Sequence, residues 1–441
     1  MCYSSTPGSR GGGRPEGSPF HLLEAHNIYR MVVRALNYVS LSVLLMISLL
    51  MSLFRARKGR NCTLREAKHI LIIRYDRLGD FIVSLPAFRS IKSQFPNIKI
   101  TVVLNESIRS IAEANRFYDN SFFVDYTRLL SSPSYLMKLI RKLIAREYDI
   151  CYDAMGLRSM RSAVIAALSR SPRLVGRDLG VLRRHIFTNP VSAHVPSQGG
   201  GSRYEGDLVW KLFSSTGLKK GLGTTTLRIP PEVEDSIGVL FKQHRLKPED
   251  TIIGIAPSIG GVDRKREWPI ENYCGLISKL FQKYSCKIIL LSGAEGSSIC
   301  NQIANGLDFS IINLAGRTDL LELCGVIRRL SILITAFTGT THIGVALGKE
   351  VITICGGTNP DRWAGGIPNN HIIRLDLPCS PCEYRLKIEQ CDHQMREFAC
   401  MGDLDVGLVY SKACEIIDSF PNRHLGGLSN CSQQRNQASI G

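Results

Sequence analysis

The chain has 441 residues, 44% hydrophobic and 21% charged, which excludes a disordered protein and is too long for one ordinary hydrophobic core. With 55 Lys and Arg against 38 Asp and Glu, the net charge of +17 favours an anionic partner such as a phosphorylated substrate or an acidic membrane surface. Aromatic residues make up only 7% and do not interleave with basic ones in the way that stacks bases, so no nucleic-acid partner is expected; only the net charge would support one.

Residues 1–60 are predicted to be a disordered start followed by a membrane-associating helix. The segment Ala35–Phe54 carries no charge, and Arg and Lys residues flank it on both sides. Serines and Asn37 dilute its apolar character, so we favour a helix that lies in the membrane interface. A spanning helix and a helix packed on the protein itself are the alternatives. Both membrane interpretations place the large domains at the cytoplasmic face of the inner membrane, peripherally or through a single N-terminal anchor.

Residues 61–230 are predicted to form a first Rossmann-like domain. Short buried strands alternate with helices, and this alternation indicates an α/β fold with a parallel, doubly wound sheet. The predicted elements are strand His69–Ile73, helix Phe81–Gln94, strand Ile98–Leu104, helix Ile108–Ala114, strand Ser121–Asp125, helix Tyr135–Arg146, strand Tyr148–Asp153, helix Met160–Ser169, strand Arg173–Val175 and helix Glu205–Ser215.

The loop after the first strand is the first candidate site, because ligands bind beyond the carboxyl ends of strands in such sheets. It contains Arg74, Asp76, Arg77, Gly79 and Asp80. It lacks Gly-x-Gly-x-x-Gly, which disfavours a dehydrogenase. Gly79 is expected to let the backbone turn before Asp80 opens the helix. Spacing leaves two interpretations of Asp80 open: a helix N-cap, or a general base at the mouth of a cleft.

Residues 231–420 are predicted to form a second domain of the same kind, with Pro230-Pro231 near the boundary and a disordered tail over 421–441. The predicted elements are strand Ile252–Ala256, helix Ile270–Tyr284, strand Lys287–Leu291, helix Gly296–Gly306, strand Ile311–Asn313, helix Leu320–Leu330, strand Ile332–Thr335, a short helix after Thr338, strand Val351–Cys355 and a closing helix Gly402–Phe420.

Three strand-end loops of the second domain favour a nucleotide-type ligand. Thr338, Gly339, Thr340 and His342 open a short helix, whose free N–H groups and dipole would attract a phosphate. A basic loop contains Arg266, which could clamp a pyrophosphate or could simply be solvated. In the third loop, Glu295 could accept hydrogen bonds from a ribose or could cap a helix.

Fourteen cysteines, several of them inside apolar runs, fit a reducing compartment better than a disulfide framework. Five soft ligands close together near the C-terminus could hold a structural zinc ion: Cys379, Cys382, Cys391, His393 and Cys400. Unligated thiols and redox-linked pairs are the alternatives to a metal.

Several of these motifs together resemble glycosyltransferase family 9, the heptosyltransferase-like enzymes of lipopolysaccharide core synthesis. They are Arg74-x-Asp76-x-x-Gly79-Asp80, Leu85-Pro86, Arg266-x-Trp268-Pro269, Gly293-x-Glu295, Asn313–Arg317, Thr338-Gly339-x-x-His342 and Gly356–Pro360. Their order and spacing match over roughly residues 68–418.

The resemblance implies the GT-B architecture, in which two Rossmann-like domains face each other across the active site. It implies an inverting transfer without a metal, from a nucleotide sugar such as ADP-heptose to a lipopolysaccharide-core or other lipid-linked saccharide. Asp80 would be the base, and Arg74, Asp76, Arg77 and Gly79 would be loop candidates on the acceptor side. The donor-binding set would be Arg266, Thr338, Gly339 and His342 for the diphosphate, with Glu295 for the ribose.

One position departs from the family pattern. Members usually carry Asp immediately before the Thr/Ser-Gly pair, and this chain has Phe337 there. That carboxylate would lie near the donor sugar, so the departure bears on the identity of the donor. It also motivates an alternative hypothesis, a catalytically silent nucleotide-binding or scaffold protein of the same fold.

Overall fold

The computed structural model describes residues 61–155, 159–192, 204–221, 225–257, 267–382, 391 and 398–420, together with Ser42 and Met46. Apart from those two residues, the predicted membrane helix lies outside the described residues, and the predicted tail 421–441 does so entirely. Arg266 and His393 also lie outside them.

The first half of the chain builds a six-stranded parallel sheet. Its strands are β1 (His69–Arg74), β2 (Lys99–Asn105), β3 (Asn120–Val124), β4 (Ile150–Asp153), β5 (Arg173–Asp178) and β6 (Asn189–Ser192). They lie in the order β3-β2-β1-β4-β5-β6. Because the strand order reverses between β1 and β4, their carboxyl ends flank the crevice where doubly wound folds bind ligands.

The second half builds a second parallel sheet with the same topology. Its strands are β7 (Ile252–Ala256), β8 (Lys287–Leu290), β9 (Ile312–Asn313), β10 (Ile332–Ala336), β11 (Glu350–Ile354) and β12 (Asn370–Ile373). They lie in the order β12-β11-β10-β7-β8-β9, so the crevice opens between β7 and β10. The predicted α/β fold with two doubly wound domains is therefore confirmed.

The helices cover both faces of each sheet and bury the apolar strands. Those of the first half are Leu78–Gln94, Arg109–Ala114, Tyr126–Ser131, Pro133–Ile144, Met160–Leu168, Val181–Ile186 and Glu205–Ser214. Those of the second half are Pro231–Gln243, Ile270–Tyr284, Ser297–Asn305, Leu320–Arg328, Gly339–Ala346, Pro360–Trp363, Ala399–Gly402 and Val406–Asp418.

Two sequence-based boundaries were wrong. The first helix begins at Leu78, three residues before the predicted start, so Gly79 and Asp80 lie in its first turn and not in a loop. The closing helix begins at Val406, four residues after the predicted start, because a separate short helix, Ala399–Gly402, ends at Gly402. The Asp405 carboxylate then accepts a hydrogen bond from the Gly407 N–H at 2.7 Å and caps the closing helix.

The two halves pack against each other across the crevice. Helix Leu78–Gln94 of the first half lies against helix Gly339–Ala346 of the second. The contact is close because two glycines form it: a Cβ on Gly79 would lie 2.5 Å from His342 Cδ2, and one on Gly339 would lie 3.1 Å from Leu78 Cδ2. Gly79 of the first half and His342 of the second therefore meet at the same cleft.

Candidate functional site

Arg74 organises the first-domain side of the cleft from the end of β1. It is fully buried at 0% exposure, and its guanidinium donates to the carbonyl oxygens of Ala154 and Asp80, the latter at 2.9 Å from Nη2. It also lies 3.3 Å from an oxygen of Asp76 and 3.6 Å from Oδ1 of Asp80. With its donors engaged inside the protein, Arg74 holds the helix start and its carboxylates in place.

Asp80 occupies the third position of helix Leu78–Gln94, so the interpretation of Asp80 as the N-cap residue is wrong. Arg77 is the N-cap, and its backbone N–H donates to Asp80 Oδ2 at 3.3 Å. Asp80 Oδ1 has no hydrogen-bond partner among the residues that the structure describes. A buried carboxylate oxygen without a donor is costly unless it serves a ligand or a proton transfer.

The surroundings of Asp80 favour its protonated form. Burial and the neighbouring Asp76 carboxylate raise the pKa of Asp80 to about 8, against the opposing charge of Arg74. A carboxyl group with a pKa this close to neutrality can take up and release protons at physiological pH. The group is therefore poised for acid–base work, as the second interpretation of Asp80 requires.

Glu205 is a part of the site that sequence reasoning missed. It begins helix Glu205–Ser214 and is 0% exposed. Arg177 of β5 donates to its two oxygens at 2.6 and 3.0 Å, and Arg74 lies at 3.3 Å. Burial would raise the pKa of Glu205, but these guanidinium charges outweigh burial and lower it to about 2. Glu205 lies 131 positions from Arg74 along the chain, so no local sequence pattern connects the two residues. The one signal is that a buried arginine requires an acidic partner somewhere in the fold.

The second-domain side of the cleft is the N-terminus of helix Gly339–Ala346. Thr338 is its N-cap, with Oγ1 accepting from the Thr340 N–H at 3.3 Å. The Thr341 hydroxyl donates to the Ala336 carbonyl oxygen and accepts from the Thr338 N–H, both at 3.3 Å. The structure therefore bears out the predicted helix start, with its backbone N–H groups directed at the cleft.

His342 lies on this helix against Gly79 of the other domain. Its ring sits between Phe337 and Trp363, with centroid distances of 6.1 and 6.4 Å. Burial lowers the pKa of His342 to about 4, so the imidazole is neutral at physiological pH. It can donate or accept a hydrogen bond, but it adds no positive charge to the cleft.

Glu295 lies in the loop that follows the carboxyl end of β8, and it is exposed. Its carboxylate folds back over Gly293, where a Cβ would lie 2.3 and 2.5 Å from the two carboxylate oxygens. A side chain at Gly293 would therefore displace the carboxylate, which gives the Gly-x-Glu spacing a steric reason. The conformation leaves Glu295 near the surface, where a ribose could reach it.

Phe337 has an apolar environment. It is 4% exposed and packs with Cys355, Ala364 and the partly buried Trp363. The position before Thr338 thus carries a buried apolar side chain and no charge.

The cysteine cluster lies beyond β12. Cys382 Sγ lies 2.6 Å from where a Cβ on Gly357 would be, and Cys391 Sγ accepts from the Phe398 N–H at 3.4 Å. Burial, and then the nearby thiols of the other three cysteines, raise the pKa of Cys400 to about 11. Within the described part of the chain, no three His, Cys, Asp or Glu side chains converge closely enough to hold a metal ion.

Among the residues with described structure, no helix is both long enough and apolar enough to cross a bilayer.

Known proteins resemble the chain over most of its length. A profile of glycosyltransferase family 9 (heptosyltransferase) matches residues 136–393. A lipooligosaccharide heptosyltransferase 2 of Haemophilus influenzae is 29% identical over 318 residues, which cover 70% of this chain and 88% of the relative.

Solved structures share the fold. A family 9 glycosyltransferase of Veillonella parvula superimposes with a TM-score of 0.65 at 19% identity, over 80% of this chain and 98% of that one. A heptosyltransferase of Escherichia coli, solved with ADP-2-deoxy-2-fluoro heptose, gives a TM-score of 0.58 at 18% identity, over 79% and 99% of the two chains.

Proposed function

The chain belongs to glycosyltransferase family 9, and we propose that it moves heptose or a similar sugar from a nucleoside-diphosphate donor to a lipid-linked saccharide. The proposal assigns an inverting reaction, carried out without a catalytic metal in the cleft between the two domains. The observation that carries it is the buried Asp80 carboxylate, one oxygen of which accepts no hydrogen bond from the described residues, on a helix that packs against helix Gly339–Ala346 of the other domain.

Asp80 is the proposed base. Its Oδ1 takes the proton of the acceptor hydroxyl while the hydroxyl oxygen forms a bond to C1 of the donor sugar. The bond from C1 to the diphosphate breaks on the opposite face, and its electron pair remains on the diphosphate oxygen. A base pKa near the working pH combines a useful fraction of the ionised form with a strong drive to accept the proton. Arg74, Asp76, Arg77 and Gly79 shape this side of the cleft.

The departing diphosphate is proposed to bind at the N-terminus of helix Gly339–Ala346. Backbone N–H groups and the Thr338 hydroxyl offer hydrogen bonds, and the helix dipole favours the developing negative charge. His342 is neutral, so it contributes a hydrogen bond but no positive charge. We therefore assign the compensating cation to Arg266, and the ribose to Glu295.

ADP-heptose is the proposed donor, because a related enzyme of the same fold was solved with an ADP-heptose analogue. A lipopolysaccharide-core saccharide is the proposed acceptor, in line with the name of the Haemophilus influenzae relative. Such an acceptor is anchored in a membrane, and we propose that the protein works at the cytoplasmic face of the inner membrane. The net charge of +17 suits an acidic membrane surface.

A thermal-shift panel of the full chain tests the donor. ADP, UDP, GDP, CMP and their sugar conjugates, ADP-heptose included, are compared at equal concentration. A ligand at 100 times its Kd stabilises the folded state by about 2.7 kcal/mol, which is readily measured. We expect ADP and ADP-heptose to raise the melting temperature selectively. Selectivity for another nucleotide would overturn the proposed donor and leave transfer intact.

The silent-scaffold alternative is favoured by one observation, the apolar setting of Phe337. It predicts that a folded sample turns over no donor even when a nucleotide stabilises it. Release of the nucleoside diphosphate in the presence of an acceptor lipid therefore distinguishes the two hypotheses.

A further inference from the structure

Glu205 joins cations from both domains at one buried point. On the first-domain side it binds Arg177 and Arg74. From the second domain, Arg362 of helix Pro360–Trp363 places Nη2 3.4 Å from Glu205 Oε2, and the Arg362 side chain is only 13% exposed. Because water screens it little, the Coulomb attraction within this ion pair is larger than that within a surface pair. The pair can exist only when the two domains are together.

A second contact between the domains lies beside the ion pair. The Tyr204 ring packs on Gly365 of the second domain, where a Cβ would lie 2.5 Å from Tyr204 Cδ2. Gly365 has φ +59°, a left-handed conformation that glycine adopts at least cost. The backbone of the second domain thus approaches the ring directly, and the segment that carries Arg362 is seated on the segment that carries Glu205.

The charges around Asp80 are balanced only when Arg362 is present. Three acidic groups, Asp76, Asp80 and Glu205, meet three guanidinium groups, Arg74, Arg177 and Arg362. Two further titratable groups border the carboxylate, the exposed Arg77 and the neutral His342. Removing Arg362 leaves three acids facing two buried cations, an arrangement that favours the protonated form of the acid with the weakest partners. That acid is Asp80, whose Oδ1 has only Arg74 at 3.6 Å.

We propose that Arg362 is a positioning residue that ties closure of the two domains to the readiness of Asp80 to accept a proton. In the closed cleft Asp80 is buried, and burial favours its protonated form. Arg362 arrives with the second domain and pairs with Glu205, and its positive charge opposes this effect of burial on Asp80. This inference rests on the proposed role of Asp80 as the base, and it gives the second domain a part in setting the proton affinity of that base.

The pH profile of kcat in Arg362→Met tests the proposal. The rise of kcat with pH should move up by on the order of 1 pH unit, because the positive charge of Arg362 favours the ionised form of Asp80. Arg362→Lys should restore part of the shift, since it restores the charge. Arg328→Met is the matched control, because it removes an arginine that pairs with Glu234 at 3.1 Å on the surface. A merely structural role would lower the plateau and leave the midpoint in place, and that result would overturn the proposal.

Small-angle scattering supplies a readout that needs no substrate. Arg362→Met should populate a more extended particle than the wild type, whereas Arg328→Met should not. If the wild-type protein turns over no donor, the proposed function has failed, but the scattering profiles still test the contact between the two domains. Identical profiles for Arg362→Met and wild type would then show that Arg362 does not hold the domains together, which would overturn this proposal.

Discussion

The contact between Gly79 and His342 gives a prediction that separates stability from activity. In Gly79→Ala the new Cβ would lie 2.5 Å from His342 Cδ2 and 3.0 Å from Nε2. Carbon atoms pack at about 3.5–4.0 Å, so the helices must separate by about 1 Å. The His342 ring cannot easily yield, because it is buried between Phe337 and Trp363. Misplacing reacting groups by about 1 Å can cost on the order of 100-fold in rate.

The same substitution should not weaken the first domain. Gly79 lies within helix Leu78–Gln94, where alanine loses less backbone entropy on folding than glycine does. We therefore expect unchanged or slightly higher resistance to urea, together with a kcat about 100-fold lower in a steady-state transfer assay. Gly275→Ala is the control, since it lies in helix Ile270–Tyr284 and its Cβ would meet no atom within 4 Å. A Gly79→Ala enzyme with the kcat of wild type would refute this account of the cleft.

Three further predictions concern buried groups. Because folding raises the pKa of Asp80 from 3.8 to about 8, its contribution to stability is lost as pH rises through that range, so Asp80→Asn should raise Tm more at alkaline than at acidic pH. Glu205→Gln leaves buried arginines without their carboxylate and should cost about 3–5 kcal/mol in urea unfolding at neutral pH. The pKa of Glu205 is lowered from 4.5 to about 2, so this difference should shrink as pH falls below 4.5. Phe337→Asp should destabilise by at least about 3 kcal/mol by calorimetry, because it replaces a buried ring with a carboxylate; unchanged stability would contradict the packing of Phe337.

Most of the fold could be predicted because the strands carry their own signal. Runs such as Ile70–Ile73 are continuously apolar, as is typical of strands covered on both faces, and their alternation with helices indicates a parallel sheet. The short edge strand Asn189–Ser192 was missed because it contains Asn, Pro and Ser and is only partly buried. Helix Pro231–Gln243 was missed although the sequence carries a signal for it, since Val233, Ile237, Leu240 and Phe241 recur at helical spacing and pack on the core.

The candidate site could be predicted only where its chemistry is local in sequence. Thr338 and Gly339 have the sequence of a helix start, and Asp80 follows a buried strand. The two sides of the cleft could therefore be found from the spacing of their residues. The role of Gly79 could not, because it is set by His342 of the other domain rather than by a turn. Glu205 and Arg362 were missed for the same reason: the two residues meet across 157 positions of the chain, and no local pattern marks either.

The role of Asp80 as the base is tested by the single-turnover rate of Asp80→Asn at saturating donor, with affinity for the nucleoside diphosphate measured in parallel. The account predicts that the rate falls by on the order of 100- to 10,000-fold, the usual contribution of a general base, while nucleotide affinity stays at the wild-type value. An Asp80→Asn enzyme that transfers sugar at the wild-type rate would remove Asp80 from the mechanism.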